Sequence, residues 1–277
     1  MTGSSPVTRH TRVPFAALWP FLLIAFGIAW GLMALYIFIP EPITVMFGEI
    51  TASHPLFILA VYSPAIAAFI VVLYCGGMRG LSAYLSRLLL WRCPPAWYLY
   101  LLIGVPLIYT FGSLIKGNLF SDPLPFTSFG ALLSAMGFMM VLGPIEEFGW
   151  RGVALPLLQR RLAPIWAALV LGLIWGIWHF PAFLLSGTPQ SAWSFTPFLI
   201  GSVCLSVLVT PMFNASHGSI LLAALHHFQI NNPLWPDAQP YDTIVFVAAA
   251  LLVVALNRKT LFVKAGAITT VIPERVV

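Results

Sequence analysis

Two glutamates, two histidines, an arginine and an asparagine stand where an apolar chain has least use for them. The run Gly143-Pro144-Ile145-Glu146-Glu147-Phe148-Gly149-Trp150-Arg151 places three ionisable groups in a hydrophobic stretch. His179 closes Trp175-Gly176-Ile177-Trp178-His179, and His227 and Asn231 lie in His226-His227-Phe228-Gln229-Ile230-Asn231-Asn232. On a helix Glu147 and Arg151 are i and i+4, so they meet on one face and neutralise each other. Glu146 points about 100° away and has no basic partner within its own helix. A carboxyl lacking a counter-ion in a low-dielectric site is suited to take up and return a proton near neutral pH. His227 and Asn231 share a face in the same i, i+4 relation, while His226 faces elsewhere. Together the set offers a base, an orienting group and polar donors. The plainer reading makes each histidine an interhelical hydrogen-bonder and the charges a structural network. It suits Glu147 and Arg151 but leaves Glu146 unexplained.

The elements that must position these groups follow from composition. The 277 residues are 60% hydrophobic and 8% charged, against about 25% charged in soluble domains. Mean hydropathy is +0.95. A disordered protein, a cytosolic enzyme and a nucleic-acid module are excluded despite a pI near 9.3. Cys75, Cys93 and Cys204 are far apart and form no metal or disulfide spacing. The chain reads as an all-α, polytopic membrane protein with about eight transmembrane helices enclosing a polar cavity.

A span needs about 20 apolar residues. Long runs cover Phe15 to Ile39, Pro55 to Cys75, Ala96 to Ile115, Ala163 to Leu185 and Trp193 to Phe213. Another begins near Phe129 and passes through the two glutamates; Ser219 to Ile230 and Thr243 to Leu256 are shorter. The first run is too long for a signal peptide and is read as a retained span. With eight crossings, Arg9, Arg12, Arg79, Arg87, Arg92, Arg160, Arg161, Arg258, Lys259, Lys264 and Arg275 fall on one side, and only Lys116 on the other. The positive-inside rule makes the basic side, with both termini, cytoplasmic. Glu41, Glu49, Asp122, Asp237 and Asp242 fall outside. Residues 79–92 are too basic to cross; Leu81, Tyr84, Leu85, Leu88 and Leu89 at helical spacing predict a helix on the cytoplasmic face, its arginines toward headgroups. The arginine-rich face also points to substrate access from the cytoplasm. One domain, residues 1–277, with a motif-bearing core at about 129–232, is the simplest organisation.

Taken together, EExxxR at Glu146, Glu147 and Arg151, WxxxH at Trp175 and His179, and HxxxN at His227 and Asn231 resemble the signature of the CPBP family. That family comprises type II CAAX prenyl endopeptidases and bacteriocin-processing or immunity proteins, also called Abi. Arg151-Gly152-Val153-Ala154-Leu155 and Gly218-Ser219-Ile220 fit it as well, and the likeness covers roughly Met136 to Asn232. The family usually carries Phe where Trp175 stands, an exchange expected to change packing more than chemistry. The resemblance implies an intramembrane endopeptidase. Glu146 with His179 would activate water, His227 and Asn231 would stabilise the oxyanion, and Glu147 and Arg151 would hold the helices in register. It also implies a peptide or membrane-protein substrate, prenylated in the eukaryotic case, and no nucleic-acid partner.

No cofactor is required, since the residues suffice for general-base chemistry. Zinc is the alternative, and would take Glu146, His179 and His227. Two competing functions use the same residues: a non-catalytic immunity or regulatory protein on this fold, and a proton-coupled transporter. The latter is disfavoured because no internal repeat is present. The expected location is the plasma membrane of a prokaryote.

Overall fold

The computed structural model describes residues 13–121 and 126–274; Arg9, His10, Arg12, Asp122 and Arg275 lie outside them. The described residues form helices, turns and loops without a strand. Six helices are long and apolar enough to cross a bilayer: α1 (Phe15–Phe38), α2 (Pro55–Leu89), α3 (Pro95–Lys116), α4 (Phe129–Gln159), α5 (Pro164–Leu184) and α6 (Phe195–Ala215). Two further apolar helices, α7 (Ile220–Ile230) and α8 (Asp242–Leu256), sit where the last two spans were expected but are shorter. The 11 residues of α7 rise only about 16 Å, roughly half the hydrocarbon thickness. The count of spanning length is therefore six among the described residues, not eight. The protein is an integral membrane protein.

Local sequence sets the helix ends. Pro164 occupies the first position of α5, where a missing N–H costs nothing. The Ser219 hydroxyl accepts from the Leu222 N–H (3.0 Å) at the start of α7, and Ser128 caps α4 through Ala131. The regular turns of α4 break after Gly143: a 3-10 turn covers Pro144–Glu146 and one π turn covers Trp150–Ala154. Both irregularities flank the glutamates, and π turns concentrate at functional sites.

Close helix packing rests on small residues. A Cβ on Gly172 of α5 would stand 2.6 Å from the Val203 Cα and 3.0 Å from the Ser206 Cβ of α6. Gly172→Ala is therefore expected to force α5 and α6 apart and to cost about 1–3 kcal/mol. Equilibrium unfolding in mixed detergent would register the loss; wild-type stability would mean the pair separates freely.

One end of the bundle is tied by basic side chains. Arg160 donates to the carbonyls of Thr269 (2.8 Å) and Val13 (2.5 Å), and Gln159 to that of Ile268 (2.8 Å). Here the expected surface helix is different in part. It continues from α2 through a kink at Gly77 (φ 58) rather than standing alone. Tyr84 is fully buried and its hydroxyl donates to the Phe148 carbonyl. Arg87, expected among headgroups, is 2% exposed and donates to the carbonyls of Gly152 (2.7 Å), Gly218 (2.8 Å) and Val271 (3.2 Å). The forked guanidinium satisfies several buried backbone acceptors at once, which a headgroup contact would leave bare.

Candidate active site

The broken stretch of α4 brings both glutamates to the interior, at 3% exposure for Glu146 and 2% for Glu147. Their partners separate them. Glu147 Oε1 accepts from Arg151 Nη1 (2.8 Å), the predicted i, i+4 pair, and also from His227 Nδ1 (2.7 Å) on α7. Glu147 thus holds a histidine 80 positions away as well as its own arginine. Among the described residues Glu146 forms no salt bridge. Its Oε2 accepts from two indoles, Trp175 Nε1 (2.8 Å) and Trp150 Nε1 (3.3 Å).

Trp175 is the hub of the arrangement. Besides its bond to Glu146, its ring lies 5.6 Å from that of His179 and 5.5 Å from that of His227, each edge-on. The Arg151 guanidinium stands 4.9 Å over its face, a cation–π contact. The exchange of tryptophan for phenylalanine, expected to change packing more than chemistry, also adds a donor, because phenylalanine has no N–H to give a carboxylate. Trp150 was passed over as well, although it sits at i+4 from Glu146.

Ring orientations follow from the partners. His179 caps the regular part of α5, and its Nδ1 lies 2.9 Å from the Trp175 carbonyl. A carbonyl only accepts, so Nδ1 carries the hydrogen and Nε2 is left as an acceptor. His227 Nδ1 likewise donates to Glu147, which turns Nε2 outward. Gly143 makes room for the α7 pair: a Cβ there would collide with Asn231 Nδ2 and lie 2.9 Å from His227 Nε2. His226 faces away, as expected, and pairs with the Tyr100 hydroxyl (2.9 Å). Asn232 bonds Gln229 (3.0 Å).

Glu146, His179, His227 and Asn231 all line one cavity of about 870 Å³. Its walls are otherwise largely aromatic and aliphatic, with Trp178, Phe198 and Phe246 prominent. This volume is ample for an extended peptide segment of a few residues. Among the described residues no three His, Cys, Asp or Glu side chains are placed to hold a metal ion. The set expected for zinc, Glu146, His179 and His227, gathers around Trp175 but is not among groups placed to share an ion. Glu146 Oε2 is held by two indoles, and the Nδ1 atoms of His179 and His227 are turned to oxygen acceptors, which leaves Nε2 as the free nitrogen of each ring.

Residues 128–232, which hold every residue of this cluster, match the family described as type II CAAX prenyl endopeptidase Rce1-like. The chain is also 27% identical over 177 residues to CAAX prenyl protease 2 of Methanococcus maripaludis. That similarity covers 60% of this chain and 65% of the length of the archaeal protein. In this core the aromatic donors to Glu146 come from α4 and α5 and the imidazole held by Glu147 from α7, so the site is assembled by three helices rather than one loop.

Proposed function

We propose that this Rce1-like protein is an intramembrane endopeptidase. The observation that carries the proposal is the convergence on Trp175 of one carboxylate and two imidazoles at the wall of a single large cavity. With Oε2 engaged by indoles, Glu146 Oε1 is the oxygen free to take a proton from water, and His179 Nε2 accepts from the same water. The resulting hydroxide adds to the scissile carbonyl carbon. Asn231 Nδ2 donates to the oxyanion, joined by His227 Nε2 when that ring carries both protons. Collapse breaks the C–N bond, and Glu146 returns its proton to the leaving amine. Glu147 and Arg151 fix His227 and do not touch substrate.

In this reading residues 1–277 act as one domain in the plasma membrane, both termini cytoplasmic. The substrate is a peptide segment of a membrane-associated protein; a prenylated CAAX-like tail is the candidate that the archaeal relative's name brings. The test compares new protein termini in membranes from cells holding wild type or Glu146→Gln at matched levels. Termini made only by wild type support proteolysis and name the substrate. Identical profiles would leave a non-catalytic binder on this fold.

Trp175→Phe gives a sharper check on the hub. Removing a hydrogen bond to a charged group is expected to lower kcat about tenfold or more, with KM little changed. A rate equal to wild type would show that the indole only fills space.

A further inference from the structure

Both residues assigned to the oxyanion, His227 and Asn231, stand on the face of α7 that lines the cavity. His226, Gln229 and Ile230 are i, i+3 and i+4, so they share the adjoining face, about 100° round the helix. All three are bonded to α3. The Tyr100 hydroxyl lies 2.9 Å from His226 Nε2, and the two rings stack with centroids 5.7 Å apart. Gln229 Nε2 donates to the Leu101 carbonyl (3.0 Å), and the Tyr109 hydroxyl donates to the Ile230 carbonyl (2.6 Å).

Local sequence prepares this face of α3. One π turn covers Tyr100–Gly104, and there the Val105 N–H bonds the Tyr100 carbonyl five residues back. The next nitrogen in line, for Leu101, is that of Pro106, which carries no hydrogen. The Leu101 carbonyl is thereby passed over by its own helix and taken by Gln229. Gly104 leaves room for the Tyr100 ring, since a Cβ there would stand 2.9 Å from Tyr100 Cδ2. Like the broken stretch of α4, this irregular turn therefore sits against a helix that carries site residues.

Of the residues on α7, Asn231 depends most on these bonds. It follows the last regular turn, with φ −105° and ψ 10°, and is exposed in the cavity. Its direction is set by the peptide that joins it to Ile230. The N–H of that peptide bonds back to the carbonyls of Phe228 (3.1 Å) and His227 (3.2 Å). Its C=O accepts from Tyr109. With both ends held the peptide cannot rock, and Asn231 Nδ2 stays over the space that Gly143 leaves in α4.

We propose that Tyr109 is a positioning residue for the oxyanion donor Asn231, acting through the Ile230 carbonyl, with Tyr100 holding the same helix through His226. The proposal deepens the endopeptidase reading and rests on it. Tyr109 also lines the cavity, its ring edge-on to Phe246 with centroids 5.8 Å apart. Its hydroxyl has one hydrogen, however, and that hydrogen is given to Ile230. The tyrosine therefore works on the backbone of α7 and donates nothing to substrate.

The test is a double-variant cycle on the purified full chain in mixed detergent. Its probe is a synthetic peptide spanning a terminus that wild type makes and Glu146→Gln does not. Tyr109→Phe removes one oxygen and keeps the ring. It is expected to lower kcat about tenfold to a hundredfold, the scale of a small misplacement at a reacting centre, with KM and the unfolding curve unchanged. Asn231→Ala alone is expected to lower kcat about 10²–10³-fold. In the Asn231→Ala background Tyr109→Phe should change kcat by no more than about twofold, because nothing is left for it to place; independent effects would multiply instead. Equal losses in both backgrounds, a raised KM with kcat unchanged, or wild-type kcat in Tyr109→Phe each overturn the proposal. If Tyr109→Phe does not fold, Tyr100→Phe enters the same cycle with the same deciding outcomes. A wild type that makes no Glu146-dependent terminus overturns the endopeptidase reading and this proposal with it. A wild type that cleaves while Tyr109→Phe matches its rate overturns this proposal alone.

Discussion

Glu146→Gln is expected to lower cleavage by about 10²–10⁴-fold while leaving the fold intact. Glutamine keeps a carbonyl oxygen that can accept from the Trp175 and Trp150 indoles, so the hub retains its bonds. What it cannot do is take a proton from water and return it to the leaving amine. Because Glu146 has no ionic partner, the substitution strands no charge. Rates of terminus formation at matched protein level, with KM and detergent unfolding curves measured alongside, check all three statements. Wild-type turnover in a well-folded Glu146→Gln protein would remove Glu146 as the base.

The neighbouring glutamate should behave in the opposite manner. Glu147→Ala leaves Arg151, 1% exposed, without a counter-ion and His227 Nδ1 without its acceptor. Breaking a buried pair from one side costs about 3–5 kcal/mol, because the surviving charge stays desolvated. Lower stability and lost activity are therefore expected together. The double variant Glu147→Leu with Arg151→Leu separates the two effects. Removing both charges should recover much of the stability, since a well-packed apolar pair replaces a buried ionic one at little cost. Activity should stay low, because His227 still lacks the group that aims it. Recovery of activity along with stability would reduce Glu147 to a purely structural residue.

The contrast between these two residues was partly legible in the sequence. The i, i+4 spacing identified the Glu147–Arg151 pair and left Glu146 without a basic partner, both of which the structure repeats. The same rule, applied to donors that carry no charge, would have found Trp150 over Glu146. Trp175 was harder, because it donates across helices and its value depends on a ring orientation that no spacing encodes. The bond from Glu147 to His227 joins α4 to α7 and has no local signal. Hydropathy placed α1 to α8, yet it gave α7 the length of a crossing because apolar content says where a helix lies and little about how much bilayer it traverses. Arg87 was assigned to the surface on charge alone; its burial follows from three carbonyls that only the assembled bundle brings together.

The short α7 bears on how a substrate is chosen. Where that helix stops at Ile230, the chain turns into irregular backbone whose carbonyls are met by side chains, as Tyr109 (2.6 Å) does for Ile230 and Trp235 (2.6 Å) for Gln229. Irregular backbone at such depth is tolerated where it lines a water-filled cavity. A substrate helix arriving there must give up several of its own backbone hydrogen bonds before any carbonyl can be attacked. Hydration at the funnel wall replaces those bonds, so selection falls on how readily a helix end unravels more than on the side chains it displays.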